Sequence, residues 1–358
     1  MKKRLPLIYC ILFVAACAFF AVGVFLPAAG TDAEGRDLAP FPSLKTEEGW
    51  NSDFFTQLDT YVSEHFTARQ SLIRLNGTIK ERLFRTGTDQ VIVGRDGFLF
   101  YNETAPDFVG ESLLTDEEIN AIADEILALS DYAAEHGAKL IFTVAPNKNT
   151  VYGDRMPARY RPYEGETNTD ALYAALAQRG VLYADLRGEL SADAEIERNY
   201  HKRDTHWNGR GALVAYREIL SAAGLSDTVF ADCGFIETPG FPGDLDEMLY
   251  PGAGRTESDF LPDVPTEEAF IYTSAYTSPM DMTITTRGGG TGRCLMFRDS
   301  FGSALIPYFS AAMAEVRYER ATPYRIDVLN TFGADFVVIE IAERNISTLI
   351  GAADRIDG

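Results

Sequence analysis

Histidine and cysteine are scarce in this chain, four of each among 358 residues, and tryptophan occurs twice. So few ligands exclude a Cys-rich zinc module and a disulfide-dense scaffold. Basic residues are in deficit too: 32 Lys and Arg stand against 53 Asp and Glu, a net charge of −21. A body this acidic lacks the positive surface that displaces counterions from phosphates, which excludes non-specific nucleic-acid binding. What is present is a chain 46% apolar and 12% aromatic. That is too hydrophobic for disorder, and the length suffices to bury a full core without staples.

Long uncharged runs are missing, except at the start. Leu5 to Ala29 carries no charge and follows the basic cap Met1-Lys2-Lys3-Arg4. The run meets the roughly 20 apolar residues a spanning helix needs, and the basic flank keeps the N-terminus in the cytoplasm and sends the rest outward. A signal peptide cut near Ala28-Ala29 is the competing reading, and Val14-Ala15-Ala16-Cys17 resembles a lipoprotein cleavage box. The run is long for a signal-peptide core and stays apolar past Cys17, which favours an uncleaved anchor. All three readings export the body. The expected location is the cell membrane, with a single pass and an extracytoplasmic domain, or outside the cell if the segment is cleaved. Cys233 and Cys294 are the body's only cysteines. Export permits a disulfide between them, and two free thiols fit the sequence equally well.

The expected organisation is an anchor or signal segment over 1–30, a polar linker over 31–48 and one body over 49–358. In the body, Trp50 to Phe84 has apolar residues at helical spacing and reads as two amphipathic helices joined near His65-Phe66-Thr67. Val91-Ile92-Val93 and Phe98-Leu99-Phe100-Tyr101 flank Gly94-Arg95-Asp96-Gly97, a hairpin whose glycines supply permissive backbone. An α/β alternation follows. Thr115-Asp116-Glu117-Glu118 has capping-box form, and the helix it opens leads to a strand over Lys139 to Val144. Further cycles give a helix near Asp170 to Arg179, a strand from Val181 to Leu186, a helix from Gly209 to Ala223 and a strand at Leu295 to Phe297 before a helix near Gly302 to Ala314. Phe336 to Ile341 reads as a late apolar strand. Helices alternating with apolar strands predict a mainly parallel sheet covered on both faces. Residues 226–292, rich in Gly and Pro, break the rhythm and read as an insertion or lid. Gly288-Gly289-Gly290 lacks the Lys-Ser/Thr of a phosphate loop and reads as a turn.

Two segments carry chemistry. In Arg203-Asp204-Thr205-His206-Trp207-Asn208, an extended backbone puts Asp204 and His206 on one face. A carboxylate beside an imidazole fixes its tautomer and stabilises the imidazolium, as a general base requires. In Phe297-Arg298-Asp299-Ser300-Phe301-Gly302, the serine falls on the turn between a strand and a helix, where backbone N–H groups can form an oxyanion hole. Plainer readings stand beside these. Ser300 or Asp299 can cap the following helix, and Asn208 can cap the helix from Gly209. Asp204 and His206 can form a structural pair, or join His201 around a metal. His65 and His136 read as surface or helix-end residues. The joint placement of the two segments on α/β loops favours chemistry.

Taken together, these segments resemble the SGNH-hydrolase-like proteins of the DHHW group, related to periplasmic proteins that O-acetylate alginate. The resemblance runs through the 50–84 entry, Val91 to Tyr101, Val144-Ala145-Pro146-Asn147-Lys148, Asp204-Thr205-His206-Trp207, Asp299-Ser300-Phe301 and Glu343-Arg344-Asn345. Thr205 stands where the naming motif has its first His. The resemblance implies an SGNH-like parallel sheet with a permuted order of motifs. It also implies Ser300 as nucleophile, His206 as base, Asp204 as its orienting acid, and Asn147 and Arg298 as weaker contacts to oxyanion or substrate. The implied activity is an extracytoplasmic O-acetyltransferase or acetylesterase acting on a polysaccharide through an acyl-serine. Its implied acetyl donor is a multipass membrane acyltransferase, and no cofactor is expected. Tyr101, Trp207, Tyr250 and Tyr276 are aromatics able to stack on sugars. A non-catalytic glycan-binding or polysaccharide-assembly protein on the same fold is the alternative.

Overall fold

The computed structural model describes residues 5–23, 39–46, 49–65, 69–266, 268–320 and 322–350. The chain divides into two compact units, one formed by Met1–Thr88 with Asp246–Arg255, the other by Asp89–Leu245 with Thr256–Gly358.

The first unit opens with an apolar helix, α1 (Leu5–Gly23). Among the described residues no helix is long and apolar enough to cross a membrane. Residues 24–30 of the expected anchor lie outside those described. Two-residue strands β1 (Lys45–Thr46) and β2 (Gly49–Trp50) pair antiparallel. Then come α2 (Phe54–His65) and α3 (Arg69–Thr78), which a π-helical turn prolongs over Ile79–Phe84. The two expected amphipathic helices are therefore present, and part of their joint, residues 66–68, lies outside the described residues. Within this unit the Arg74 guanidinium donates to the Pro251 carbonyl at 2.9 Å, and the Tyr250 hydroxyl bonds Glu81.

The second unit begins with the expected hairpin, β3 (Val91–Val93) against β4 (Leu99–Tyr101), Val91 facing Tyr101. Its two glycines serve different needs. Gly97 takes a left-handed φ of 82°, whereas Gly94 is there for space, since a Cβ would come within 2.7 Å of the Arg155 carbonyl. After α4 (Ala105–Phe108), the capping box of Thr115 and Glu118 starts α5 (Asp116–Glu135). There follow β5 (Lys139–Ala145), α6 (Lys148–Val151), α7 (Asn168–Gln178), β6 (Leu182–Asp185), α8 (Arg187–Ala194) and α9 (Gly209–Ala223). Residues 226–292 hold the hairpin β7 (Phe235–Phe241) and β8 (Glu257–Pro262), with α10 (Asp244–Leu249) in its connection. They also hold β9 (Phe270–Tyr272) and β10 (Thr283–Gly288), which extend the main sheet. β11 (Arg293–Phe297), α11 (Ile306–Ala312), β12 (Glu315–Glu319), α12 (Leu329–Phe332) and β13 (Phe336–Ala342) complete it.

The main sheet has the order β6-β5-β13-β11-β12-β10-β9. Pairs from β6 to β12 are parallel, and β10 and β9 add on antiparallel. Alternation of side chains across the pleat builds a core on each face. Met296 and Val338 enter the core shared with Leu213, Tyr216 and Phe309; Leu295, Val337 and Ile339 enter the one shared with Ile122, Ile126 and Leu176. One residue departs from the apolar strand reading: Glu340 lies in β13 and is buried. Because neighbouring strands are parallel, the segments after β5, β11 and β13 all leave the same carboxyl edge of the sheet, where α/β folds place their sites. Those segments bring Asn147, Ser300 and Arg344 to one rim. Cys233 and Cys294 are free, the latter fully buried in β11.

Candidate active site

The loop bearing Asp204 and His206 is clasped on two sides. Tyr200 and Trp207 form an antiparallel bridge at its base, and the N–H of His201 donates to the His206 carbonyl at 3.1 Å. From within, the buried Lys148 ammonium donates to the carbonyls of His201, Lys202 and Asp204, the first two at 3.1 and 3.2 Å. Burial pulls Lys148 down to about 8, against the raising effect of Asp204, Asp244 and Glu257. On the other side Glu257 accepts the N–H groups of Lys202 and Arg203 at 2.9 and 2.7 Å and pairs with Arg198.

Residues 202–206 form a bend, which corrects the extended reading. Asp204 Oδ1 accepts both the backbone N–H of His206 at 2.8 Å and ring Nδ1–H at 2.7 Å. The two-residue spacing thus works through a turn closed by the acid's own side chain. With Nδ1–H directed at Asp204, Nε2 is left as acceptor, and Ser300 Oγ lies 2.8 Å from it.

The serine sits between β11 and a 3₁₀ turn, Phe301–Leu305, and makes no capping bond. Asp299 ties down that turn: Oδ1 accepts the Phe301 N–H at 2.9 Å, while Oδ2 accepts the Ala342 N–H at 2.8 Å and Asn345 Nδ2 at 3.2 Å. The capping reading holds for Asn208, whose side chain accepts the Gly211 N–H at 3.1 Å at the start of α9. Trp207, buried in the core, donates its indole N–H to the Phe301 carbonyl at 3.1 Å. The Asp204–His206 loop and the Ser300 turn, 94 residues apart in sequence, are therefore joined by a bond next to the one between His206 and Ser300.

The two partners shift each other in opposite directions. Burial raises Asp204, but the His206 bond and charge, with the N–H groups of Asp244 and His206, outweigh it and hold the carboxyl well below the usual carboxylate range. Burial lowers His206, yet the Asp204 bond and charge, and the charge of Asp244, lift it above the ordinary imidazole value. An imidazolium formed here is stabilised, as a base accepting a serine proton requires.

The two weaker candidates flank this arrangement. Arg298 is buried, and its guanidinium donates to the Asp299 carbonyl, Ser303 Oγ and the carbonyls of Pro279 and Asp281. These bonds fasten the 279–281 loop to the nucleophile turn. Asn147 lines a small cleft with Phe100, Tyr101, Thr104, Lys148, Thr205 and Arg344. Its N–H donates to buried Glu343, and its side-chain oxygen has no partner among the described residues. His201 stacks on Phe241 with centroids 3.8 Å apart, and its nearest carboxylates, Asp259 and Glu257, stand off at 3.8 and 4.0 Å. Asp204, His206 and Asp244, rather than the alternative set with His201, have donor atoms within 4.8 Å of one another, and these atoms are engaged in hydrogen bonds with one another and with Thr205. His65 and His136 lie at helix ends.

Sequence reasoning missed Asp244, Glu340 and the clasp role of Lys148. It named Arg344 only within the resemblance. The Arg344 guanidinium lies 5.4 Å from the Phe301 ring and 5.8 Å from that of Tyr101. No short motif marks any of these, because each acts from a strand or loop remote in sequence from the residue it serves.

A mainly parallel sheet with Ser300 after β11, bonded to His206 and through it to Asp204 from the α8–α9 loop, is an SGNH-like α/β arrangement. Residues 91–255 match the family model described as the SGNH hydrolase-like domain of the acetyltransferase AlgX. Over those residues the chain is similar to the SGNH-hydrolase-like domains of the alginate O-acetylation proteins. A probable alginate O-acetylase AlgJ from Pseudomonas syringae pv. tomato is 24% identical over 235 residues, covering 60% of this chain and 55% of the relative. The Pseudomonas putida counterpart is 24% identical over 197 residues, covering 53% and 50%. The chain thus spans about half the length of these curated relatives. Among solved structures, a DHHW family protein from Eubacterium siraeum shares the fold with a TM-score of 0.55 at 16% identity, covering 75% of this chain and 96% of the other. Bacillus cereus PatB1 gives 0.52 at 16% identity, covering 72% and 96%.

Proposed function

We propose that this protein is an O-acetyltransferase, or acetylesterase, acting on a polysaccharide through an acyl-serine intermediate on Ser300. The observation that carries this reading is the linear chain Ser300 Oγ, His206 Nε2, His206 Nδ1, Asp204 Oδ1, with bonds of 2.8 and 2.7 Å. Kinship to proteins named as alginate O-acetylases supports the acyl chemistry and the carbohydrate acceptor.

In the first half-reaction Ser300 Oγ attacks the acetyl carbonyl of the donor and its proton passes to His206 Nε2. The donor's carbonyl–oxygen bond breaks, and the departing oxygen takes that proton back. In the second, a sugar hydroxyl attacks the acetyl-serine, gives its proton to His206, and Ser300 leaves with it. Asp204 stays ionised and holds the imidazolium. Backbone N–H groups of the turn after Ser300 are the nearest oxyanion donors by position in the chain.

The acceptor surface we assign is a cleft of about 540 Å³ lined by Asn102, Ala105, Glu111, Arg159, Tyr160 and Arg161, among others. Asn102 lines it, and Thr104, at the other end of the same short turn, lines the small cleft of Tyr101, Asn147, Thr205 and Arg344. In this reading the body acts outside the cytoplasm, tethered by the uncharged N-terminal run, and a multipass membrane acyltransferase supplies the acetyl group.

The test is intact-protein and peptide mass spectrometry after exposure to an activated acetyl ester. An acetyl adduct on Ser300, absent in Ser300→Ala and His206→Ala, is the expected result. A folded protein giving neither adduct nor ester turnover would replace this reading with glycan binding.

A further inference from the structure

A second carboxylate closes the network around His206. Thr205 Oγ1 donates to Asp244 Oδ2 at 2.6 Å and stands 3.1 Å from His206 Nδ1. The Thr205 N–H donates to Asp244 Oδ1 at 2.8 Å, and the Asp244 N–H donates to Asp204 Oδ2 at 2.8 Å. The result is a closed ring: Asp204 to His206, His206 to Thr205, Thr205 to Asp244, and Asp244 back to Asp204. The Asp244 carboxylate itself lies 3.8 Å from Nδ1.

From this ring we propose that Asp244 is a positioning residue of the triad, acting on His206 through the Thr205 hydroxyl and on Asp204 through its backbone N–H. Since the Thr205 hydroxyl gives its proton to Asp244, its lone pairs face Nδ1–H, which is then shared between Asp204 Oδ1 and Thr205 Oγ1. Positive charge appearing on the ring during attack is met by one carboxylate directly and by the second through a hydroxyl relay. The ring also explains why Thr205 can occupy its position between acid and base: a short hydroxyl reaches Asp244 without displacing Asp204. Asp244 comes from the connection between β7 and β8, within the 226–292 segment, so that segment furnishes part of the site's frame.

The charged groups bearing on His206 are Asp204, Asp244 and Arg344, the first two raising and the last lowering it. Asp244 is itself pushed up, by burial and then by Asp204, with His206 and the Thr205 bonds opposing. Lys148, Glu257 and Arg203 flank the Asp204 side of the loop. Removing the Asp244 charge takes away a raising influence, so the acidic limb of turnover moves to lower pH.

This inference rests on the triad reading above, and the experiment separates the two. The full-length protein and its Asp244→Asn, Thr205→Val, Thr205→Ser and Ser300→Ala variants are assayed with p-nitrophenyl acetate across pH, alongside their melting temperatures. We expect Asp244→Asn and Thr205→Val each to lower the plateau rate about tenfold, less than the roughly 10²–10⁴-fold a general base itself contributes because the base is kept, and to move the acidic midpoint downward. Thr205→Ser should bring the midpoint back toward that of the unaltered protein. Should Asp244→Asn fail to fold, Thr205→Val carries the same test. A lower melting temperature with an unmoved midpoint reduces Asp244 to a structural role and overturns the inference. So does turnover abolished by chelator and restored by zinc, which would make Asp204, His206 and Asp244 metal ligands. Turnover surviving in Ser300→Ala brings down the triad reading itself.

Discussion

The backbone N–H of Asp299, one residue before the serine, donates to Glu340 Oε2 at 3.2 Å. Glu340 is 1% exposed and lies in β13, the strand paired with β11. Burial and then the nearby Asp299 charge drive its carboxyl well above the usual value, so burial favours its protonated form beneath the Ser300 turn.

The sign of its pH effect follows from linkage. A folded value above the unfolded one, about 4.3, means that the native state binds the extra proton. Stability from this group is full below the unfolded value and falls as pH rises toward the folded one. Glu340→Gln keeps the shape without the titration. Its melting temperature should therefore decline less than that of the unaltered protein between pH 5 and 9, approximate bounds read from the same linkage.

Gly302 leaves no room for a side chain. A Cβ there would stand 2.6 Å from both Arg298 Cβ and Glu340 Oε2. Gly302→Ala should cost about 1–3 kcal/mol, as overpacked sites do, and displace Ser300. Chemical denaturation would give the first effect and ester turnover the second.

Lys148→Met removes the donor shared by three carbonyls of the acid-base loop. Each buried acceptor left unmet costs roughly 1–3 kcal/mol, so a loss of about 3 kcal/mol is expected, with lower turnover because Asp204 is no longer anchored. Urea unfolding measured beside ester kinetics checks both.

Asp204→Asn should lower turnover about a hundredfold or more, because an amide cannot stabilise the imidazolium and can favour the wrong tautomer. Steady-state kinetics on the folded variant would show the loss in kcat.

Arg159 and Arg161 line the proposed acceptor cleft without a carboxylate partner among the described residues, in a chain with 21 more acids than bases. The double change to Gln should raise KM for a carboxylated polysaccharide about fivefold, more than it lowers kcat, and weaken the salt dependence of binding. Transfer assays at two ionic strengths measure this.

Much of this could be read along the chain because the signals were local. The capping box at Thr115, the Gly209 to Ala223 helix and the alternating strands declare themselves within a few residues of one another. Asp204 and His206 were legible for the same reason, although the bend replaced an extended segment because Asp204 bonds the backbone it belongs to. Ser300 was legible from the strand-turn-helix context. Long-range assignments were not. The resemblance offered Arg298 as a weaker contact to oxyanion or substrate, and the bond its guanidinium makes to a loop some twenty residues upstream could not be read from it. Asp244 and Glu340 reach the site only through tertiary packing, and no periodicity records that.

The two tryptophans give the bond between Trp207 and Phe301 an optical consequence. Trp50, in the first unit, is 78% exposed, whereas Trp207 is 1% exposed in the second, with its indole N–H held beside the serine turn. Trp50→Phe would leave one emitter, and that emitter sits at the junction of base loop and nucleophile turn. Its emission maximum would follow the opening of that junction in real time, apart from the unfolding of everything else.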